Sequence, residues 1–414
     1  MTDPYLRYRR EQDDPRLLPL IDADPVTYVD RLRANPRVDA LLSDWERLFA
    51  STSFVGVTDA GDVEDGLFEQ ADEGAPVAGA VAAAEKFLAC LDDVRRDAVR
   101  HDLNSRVWRA WLNPEIYLHR FGVRLDEASP EVREHALRLL ESTLSAEGFA
   151  QARRIMRINA HLGDLVHGQG VLNEFSYNVN IFGTPSLTQP WGWQIYGHHL
   201  AVNCLFFGPQ VVLTPAFLGS EPTHLPGEPP NTALFVPAEK RALELLASLD
   251  DVLRARAVLY AAKRDPRMPP GRIAVGDELS LAGAFRDNRV IPYEGARIGD
   301  MTPESRAIAA GVVAEMLAYH PPAARAARLT DLARHLDRTY FCWIGGHEPA
   351  DPFYFRIQGP TILAELDHHA GVFLSNPEPE RFHTHTVVRT PNGNDYGVAL
   401  TSAVTGQRRD LTGL

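Results

Sequence analysis

Histidines at a metal-chelating spacing are the first feature of the sequence that could perform chemistry. The stretch HTHT (383–386) places His383 and His385 two residues apart. If this stretch is a β-strand, both side chains point to the same face, because successive side chains of a strand alternate. Two histidines on one strand face can chelate one metal ion, and a third ligand from elsewhere would complete the three-ligand set of a catalytic metal site.

The stretch GHHLAVN (197–203) offers a third histidine. It lies within WQIYGHHLAVNCLFF (193–207), whose aromatic and β-branched residues are typical of strands. Alternation along such a strand predicts that His198 packs at the rim of a core, whereas His199 faces a polar cavity together with Asn203. We therefore predict His199 as a metal ligand or general base; the alternative is a structural histidine.

Carboxylates follow each other along one predicted strand face in the second half of the chain. Glu365 and Asp367 alternate there with apolar residues, and His369 continues the series. Carboxylates are seldom fully buried without partners. We predict Glu365 as a metal ligand or catalytic base; the alternative is a salt bridge to Arg356 or Arg389.

Two arginines in strand-like runs could bind a substrate. Arg356 and Arg389 are predicted in the catalytic site, where a guanidinium would hold a substrate carboxylate through two parallel hydrogen bonds. An ion pair with a neighbouring carboxylate is the alternative. The predicted substrate pocket combines apolar walls with a few polar groups. Its members are Trp191, Trp193, Asn203 and Asp367.

Three blocks of the chain recur in the same order, which predicts a tandem duplication. The earlier blocks are 87–99, 122–144 and 191–203, and the later blocks that resemble them are 245–258, 295–317 and 353–365. The predicted domains are an N-terminal helical extension with an acidic loop (1–79), a first unit (80–235) and a second unit (236–414).

Each predicted unit begins with helices and ends with strands. Ser129-Pro130-Glu131 and Thr302-Pro303-Glu304 each place an N-cap residue before a proline and an acid, which is a helix-start pattern. The strand-like runs follow these helices in both units. The predicted fold is therefore α+β, with two related helical-plus-sheet units whose mostly antiparallel sheets are related by a pseudo-two-fold axis.

Composition and charge narrow the classes of partner. The 414 residues carry a formal net charge of −13, which argues against a nucleic-acid binder and against an anionic membrane surface. Three cysteines without a CxxC pair, and the lack of a signal peptide or a long apolar run, indicate a cytoplasmic protein. A small-molecule substrate is the expected partner, and the oligomeric state is left open.

Four motifs together resemble the "domain of unknown function 3500" family. They are IFGTPS (181–186), PWGWQIYGHHLAVN (190–203), FYFRIQGPTILAELD (353–367) and HTHTVVRTPNGNDYG (383–397). The resemblance covers roughly residues 80–405 and implies no catalytic residues. Relatives usually carry ExDNxxxNxNHxHTVWRDP near the end, where this chain has Asp367-His368-His369 and Val388-Arg389-Thr390. If those asparagines bind substrate in relatives, the departure implies a different substrate here.

The leading functional hypothesis is a metal-dependent enzyme that acts on a small molecule. A divalent ion (zinc, iron, manganese or copper) would be bound by His199, His383, His385 and Glu365, and metal-activated water would perform hydrolase or lyase chemistry. A non-haem oxygenase at the same site is one alternative. A metal-free enzyme with a histidine base and a non-catalytic ligand-binding protein are the others.

Overall fold

Thirteen strands join in one sheet in the computed structural model, which describes residues 3–229 and 232–413. The strands are β1 (Arg100–His101), β2 (Val123–Arg124), β3 (Tyr177–Phe182), β4 (Trp191–Gly197), β5 (Leu200–Phe207), β6 (Gln210–Val212), β7 (Ala216–Ser220), β8 (Val258–Tyr260), β9 (Ala296–Arg297), β10 (Tyr340–Gly345), β11 (Phe353–Gln358), β12 (Leu363–His369) and β13 (Glu380–Arg389).

Helices precede the strands in each half of the chain. They are α1 (Pro25–Arg33), α2 (Pro36–Ser51), α3 (Val77–Ala89), α4 (Asp93–Val99), α5 (Pro130–Thr143), α6 (Ala146–Leu165), α7 (Val236–Ser248), α8 (Asp251–Ala257), α9 (Pro303–Met316), α10 (Pro322–Arg334) and α11 (Val398–Thr405). The hydroxyls of Ser129 and Thr302 accept hydrogen bonds from the backbone N–H groups of Val132 and Ser305, which confirms both predicted helix starts. Within the described residues, no helix combines the length and apolar character needed to cross a membrane.

The order of the strands across the sheet is β1-β3-β4-β5-β7-β13-β12-β11-β10-β8, with β2 and β9 paired to β3 and β10, and β6 to β5. Neighbouring strands are antiparallel except for the outer pairs β1–β3 and β8–β10. The mixed helix-and-sheet architecture confirms the α+β prediction. The strands of the two halves meet where β7 pairs with β13, so they form one continuous sheet.

Strand alternation gives this sheet two different faces. One face is apolar and packs against the helices of both halves, in a core that includes Trp193, Leu200 and Phe355. The opposite face is rich in buried polar groups, among them Glu365 and His385. The N-terminal segment and the loop between β8 and β9 cover this polar face. The loop also supplies hydrogen-bond donors to it, which buried charged groups require.

The stretch 193–207 does not form the single strand that we predicted. Strands β4 and β5 are joined by a tight turn at His198 and His199, and Gly197 pairs directly with Leu200. His199 has a φ of 62°. The prediction that alternation separates the two imidazoles was therefore wrong, because turn residues do not alternate. Their rings stack instead, with centroids 3.8 Å apart.

The N-terminal segment packs across the polar face and does not form a separate layer. Tyr5, Leu42 and Phe49 belong to the same apolar cluster as Tyr196 of β4 and Phe217 of β7. This places α1 and α2 over the sheet face that carries the histidines. The domain boundaries at residues 79 and 235 stay a prediction.

A buried ion network ties the polar face to the chain before β2. Asp287 accepts hydrogen bonds from Arg109 at 2.8 Å and from Arg389 at 2.7 Å, and Arg389 also donates to Asp395 at 3.0 Å. Burial alone would raise the pKa of Asp287, but the two guanidinium groups outweigh it and hold that pKa below its usual value. The carboxylate of Asp287 thus offsets part of the free-energy cost of burying both arginines.

Replacing this carboxylate should destabilise the fold. We expect Asp287→Asn to lower the free energy of unfolding by about 3–5 kcal/mol, because it leaves the buried guanidinium of Arg109 without its anion and removes one of the two carboxylates that pair with Arg389. Urea unfolding measures the loss. The control is Asp93→Asn, whose side chain is 94% exposed and which should change stability by less than about 0.5 kcal/mol. Equal effects of the two substitutions would contradict the assignment.

Candidate metal centre

Three histidines, one from the turn between β4 and β5 and two from β13, converge at the junction of the two halves. The Nε2 atom of His385 lies 3.1 Å from the Nε2 of His199 and 3.1 Å from the Nε2 of His383. The ligand atoms of all three lie within 4.8 Å of one another, and all three side chains are buried. The structure thus brings together the three predicted histidine ligands; we call them the histidine triad.

The tautomer of His383 suits a metal ligand. Its Nδ1 lies 2.8 Å from the backbone oxygen of Ala370. A carbonyl oxygen can only accept, so Nδ1 carries a proton, and Nε2 is the nitrogen left to present a lone pair toward the other histidines. A hydrogen bond from the second ring nitrogen to a carbonyl is the usual outer support of a metal-binding histidine.

The backbone fixes where His199 sits. Its N–H donates to the oxygen of Asn113 at 3.0 Å, and its own oxygen accepts from the N–H of Gly219 at 2.8 Å. Gly219 also pairs with His385 across β7 and β13. A Cβ at this glycine would lie 3.0 Å from Cδ2 of both imidazoles. The missing side chain therefore lets the two rings approach each other.

Burial favours the neutral form of two of the three imidazoles. It lowers the pKa values of His199 and His385 well below that of an exposed imidazole, and the neighbouring histidines add to the effect. Their Nε2 atoms lie in contact, and such a contact is a hydrogen bond only where one of the two nitrogens carries a proton. The Nδ1 of His385 also has no hydrogen-bond partner among the described residues. Histidine nitrogens that lie this close with few N–H donors between them favour the binding of a cation.

Two of the three nitrogen–nitrogen distances in the triad suit a transition-metal ion. Metal–nitrogen distances of about 2.0–2.1 Å with tetrahedral angles require nitrogen atoms about 3.3 Å apart, and right angles require about 2.9 Å. The two contacts of 3.1 Å lie between these values. The donor set consists of imidazole nitrogens, which suit zinc, copper and iron better than manganese.

A cavity of about 500 Å³ lies above the triad. His198, His199, His383 and His385 form part of its lining. The rest of the lining comes largely from the N-terminal segment and from the loop after β12. The triad is therefore buried within the protein, yet it faces a space that can hold a small molecule.

Glu365 lies on the polar face but is engaged away from the triad. Its oxygens accept from the N–H groups of Leu281 and Ala282 at 2.7–3.0 Å, and from the hydroxyl of Tyr354 at 2.9 Å. Along β12 it pairs with Val387, whereas Asp367 pairs with His385. The structure thus gives Glu365 a role in holding the loop between β8 and β9.

Asp367 lies closer to the triad than Glu365 does. It forms an ion pair with Lys263 and accepts from the N–H of Leu279 at 2.9 Å. Its Oδ2 also lies 3.2 Å from Nε2 of His369, whose ring centroid is 3.9 Å from that of His385. Asp367 therefore reaches the triad through one intervening imidazole.

Both predicted arginines are paired within the protein. Arg389 donates to Asp287 and Asp395, and Arg356 donates to Glu294 at 2.8 Å. Neither guanidinium lines the cavity above the triad in the described part of the chain. The structure places both in the ion-pair role that the sequence left open, although their partners differ from Glu365 and Asp367.

The predicted pocket residues lie outside the cavity. Trp191 and Trp193 belong to the apolar face, where the indole of Trp193 donates to the hydroxyl of Thr143 on α5 at 3.1 Å. Asn203 is buried between the side chain of Gln194 and the oxygen of Pro215. These placements follow from alternation: Trp191 and Trp193 occupy the parity of β4 that faces the helices.

Sequence reasoning missed the acids that line the cavity. Glu221 accepts from the N–H groups of Val372, Phe373 and Leu374 at 3.0–3.3 Å, and it lies 3.9 Å from Nδ1 of His383. Glu115 is the second acid that lines the cavity. Each stands in a loop beside a proline, and no spacing signal in the sequence connects either of them to the triad.

The chain belongs to the family described as "protein of unknown function (DUF3500)", whose pattern matches residues 73–398. This confirms the resemblance carried by the four motifs. The triad lies within the matched residues, whereas α1 and α2 lie before them. No curated protein and no solved structure matched the chain.

The triad should bind about one divalent metal ion per chain. We expect protein purified without chelator to retain zinc, copper or iron, because three imidazole nitrogens lie close enough together to chelate one such ion. Elemental analysis should show the metal in the wild type and its loss in His383→Ala/His385→Ala. The control is His320→Gln, which alters a buried histidine elsewhere. Metal retained by the double variant would contradict the site.

Proposed function

We propose that this protein is a metal-dependent enzyme that acts on a small molecule through metal-activated water, by hydrolysis or elimination. One observation carries the proposal: three buried histidines bring ligand nitrogens within 4.8 Å of one another in the lining of a cavity of about 500 Å³. A purely structural metal site would have four protein ligands and no space beside it. A triad that faces a cavity leaves a coordination position for water or substrate.

The donor set favours hydrolytic or elimination chemistry over the oxygenase alternative. Non-haem iron oxygenases typically combine two histidines with one carboxylate. Here the third ligand is a histidine, and the carboxylate of Glu365 is engaged by backbone N–H groups and a tyrosine. Three histidines with an open position are a known catalytic zinc arrangement.

The residues around the triad have supporting roles in this proposal. A divalent ion bound there would lower the pKa of a bound water to about 7 and so supply hydroxide at neutral pH. Ala370 holds His383 in the tautomer that binds metal. Glu221 places a carboxyl group 3.9 Å from Nδ1 on the far side of the same ring, and carboxyl groups behind a metal-binding imidazole help to orient it.

Cobalt(II) substitution tests whether the site is open. We expect cobalt-loaded protein to show a visible spectrum that changes on addition of azide, because a catalytic site keeps an exchangeable position. Turnover of 4-nitrophenyl acetate by zinc-loaded protein should fall at least about 100-fold in His383→Ala/His385→Ala. A spectrum that azide does not alter would indicate a closed structural site. Oxygen uptake by iron(II)-loaded protein would favour the oxygenase instead.

We also infer that the two halves arose by tandem duplication. The elements α3, α4, β1, β2, α5, α6, β3, β4, β5 and β7 recur in order as α7, α8, β8, β9, α9, α10, β10, β11, β12 and β13. Their pairings correspond, and the strand order reads alike from both edges of the sheet. The three repeated sequence blocks fall on corresponding elements.

The duplication predicts a specific superposition. Residues 80–235 should overlay residues 236–414 by a rotation near 180° about an axis between β7 and β13, because antiparallel neighbours from two identical units are related in this way. Coordinates from a crystal structure provide the measurement. An overlay that requires a translation along the sheet, or that pairs different elements, would contradict the inference.

A further inference from the structure

The cavity above the triad has a polar part and an apolar part. The polar part consists of the histidine triad and Glu221, together with Glu115 and Tyr28. Beyond these polar groups the lining is mostly apolar. A ligand that fills such a space must therefore be polar at one end and apolar along its body.

Helices α1 and α2 supply much of the apolar part. Leu32, Val38, Leu41 and Trp45 line the cavity from these two helices. The indole of Trp45 stacks on Phe285, with ring centroids 5.7 Å apart and planes within 28°. An aromatic side chain of this size dominates the apolar contact that a small ligand can make.

This wall is fixed to the rest of the protein. Tyr28 of α1 donates to Glu115 at 2.5 Å, and Tyr8 donates to Glu380 at 3.1 Å. Arg10 donates to the oxygen of Leu374 at 2.9 Å, in the loop that holds Glu221. The N-terminal segment is thus bound to both polar walls, although it lies before the residues that define the family.

The charges of the cavity oppose an anion. Glu221 keeps its three backbone donors, and Glu115 is the second carboxyl group of the lining. Two arginines also line the cavity, but the guanidinium of Arg31 donates to the oxygens of Pro19 and Ile21, and Arg16 is exposed. An anionic end would lie beside two carboxyl groups, and the described residues of the lining offer it no buried, unpaired lysine or arginine.

We propose that this cavity binds an uncharged organic molecule with an apolar body of about one ring and one polar end, and that Trp45 determines this specificity. The proposal rests on the proposed function, since it names the substrate class of the same site. The polar end lies toward the triad and the carboxyl groups, and the body lies against α1 and α2. The segment before the family match therefore selects the substrate.

Three probes of similar size test the proposal on metal-free wild-type protein. They are 4-methylbenzyl alcohol, 4-methylbenzoate and D-xylose, with affinity measured by ligand-observed NMR titration. Removing the metal prevents the benzoate from binding as a metal ligand. We expect the alcohol to bind at least about tenfold more tightly than the benzoate or the sugar, a difference of about 1.4 kcal/mol.

Two matched variants on α2 test whether Trp45 contacts the ligand. Trp45→Leu keeps an apolar side chain against Phe285 and should weaken binding of 4-methylbenzyl alcohol at least about fivefold. Leu48→Ala changes a half-buried residue of the same helix outside this cavity and should alter affinity by less than about twofold. Circular dichroism confirms that both variants fold.

The possible results separate this proposal from the proposed function. If the wild type does not bind the alcohol, if the benzoate or xylose binds as tightly, or if both variants have equal effects, the substrate class is wrong even where the triad binds metal. If the alcohol binds in a Trp45-dependent way while elemental analysis finds no metal at the triad, the cavity specificity stands and the metal-dependent reaction fails.

Discussion

The structure depends on how polar groups are satisfied on one face of a buried sheet. A charge removed from water needs a partner, and removing that partner costs several kcal/mol. Most of the polar face meets this requirement with partners from the protein itself: Glu365 accepts from two backbone N–H groups and a tyrosine hydroxyl, and Arg389 donates to two carboxylates. The histidine triad is the place where lone pairs outnumber donors, and it is also the place where the cavity lies.

The sequence predicted the fold class and the pairing of His383 with His385, because both depend on local periodicity. Alternation in HTHT placed His383 and His385 on one face, and β13 has that geometry. His199 joins them for a reason that periodicity did not reveal. It reaches the triad from a turn with positive φ, and a run of strand-forming residues hid that turn.

The positions of the carboxylates and arginines could not be predicted from spacing. The N–H groups that hold Glu365 come from residues 281 and 282, more than 80 positions earlier. The partner of Arg389 at position 287 is about 100 positions away. Such long-range contacts are set by how an irregular loop crosses the sheet, and loops carry little periodic signal. Glu115 and Glu221 escaped notice for the same reason.

Gly219 separates the imidazoles of His199 and His385 by nothing more than its own hydrogen atoms. The backbone of β7 therefore sets how closely these two rings can approach. A larger residue at this position would push the rings apart and widen the space between their nitrogen atoms. If the triad binds a cation as proposed, a residue that offers no ligand atom of its own would limit which ion sizes fit.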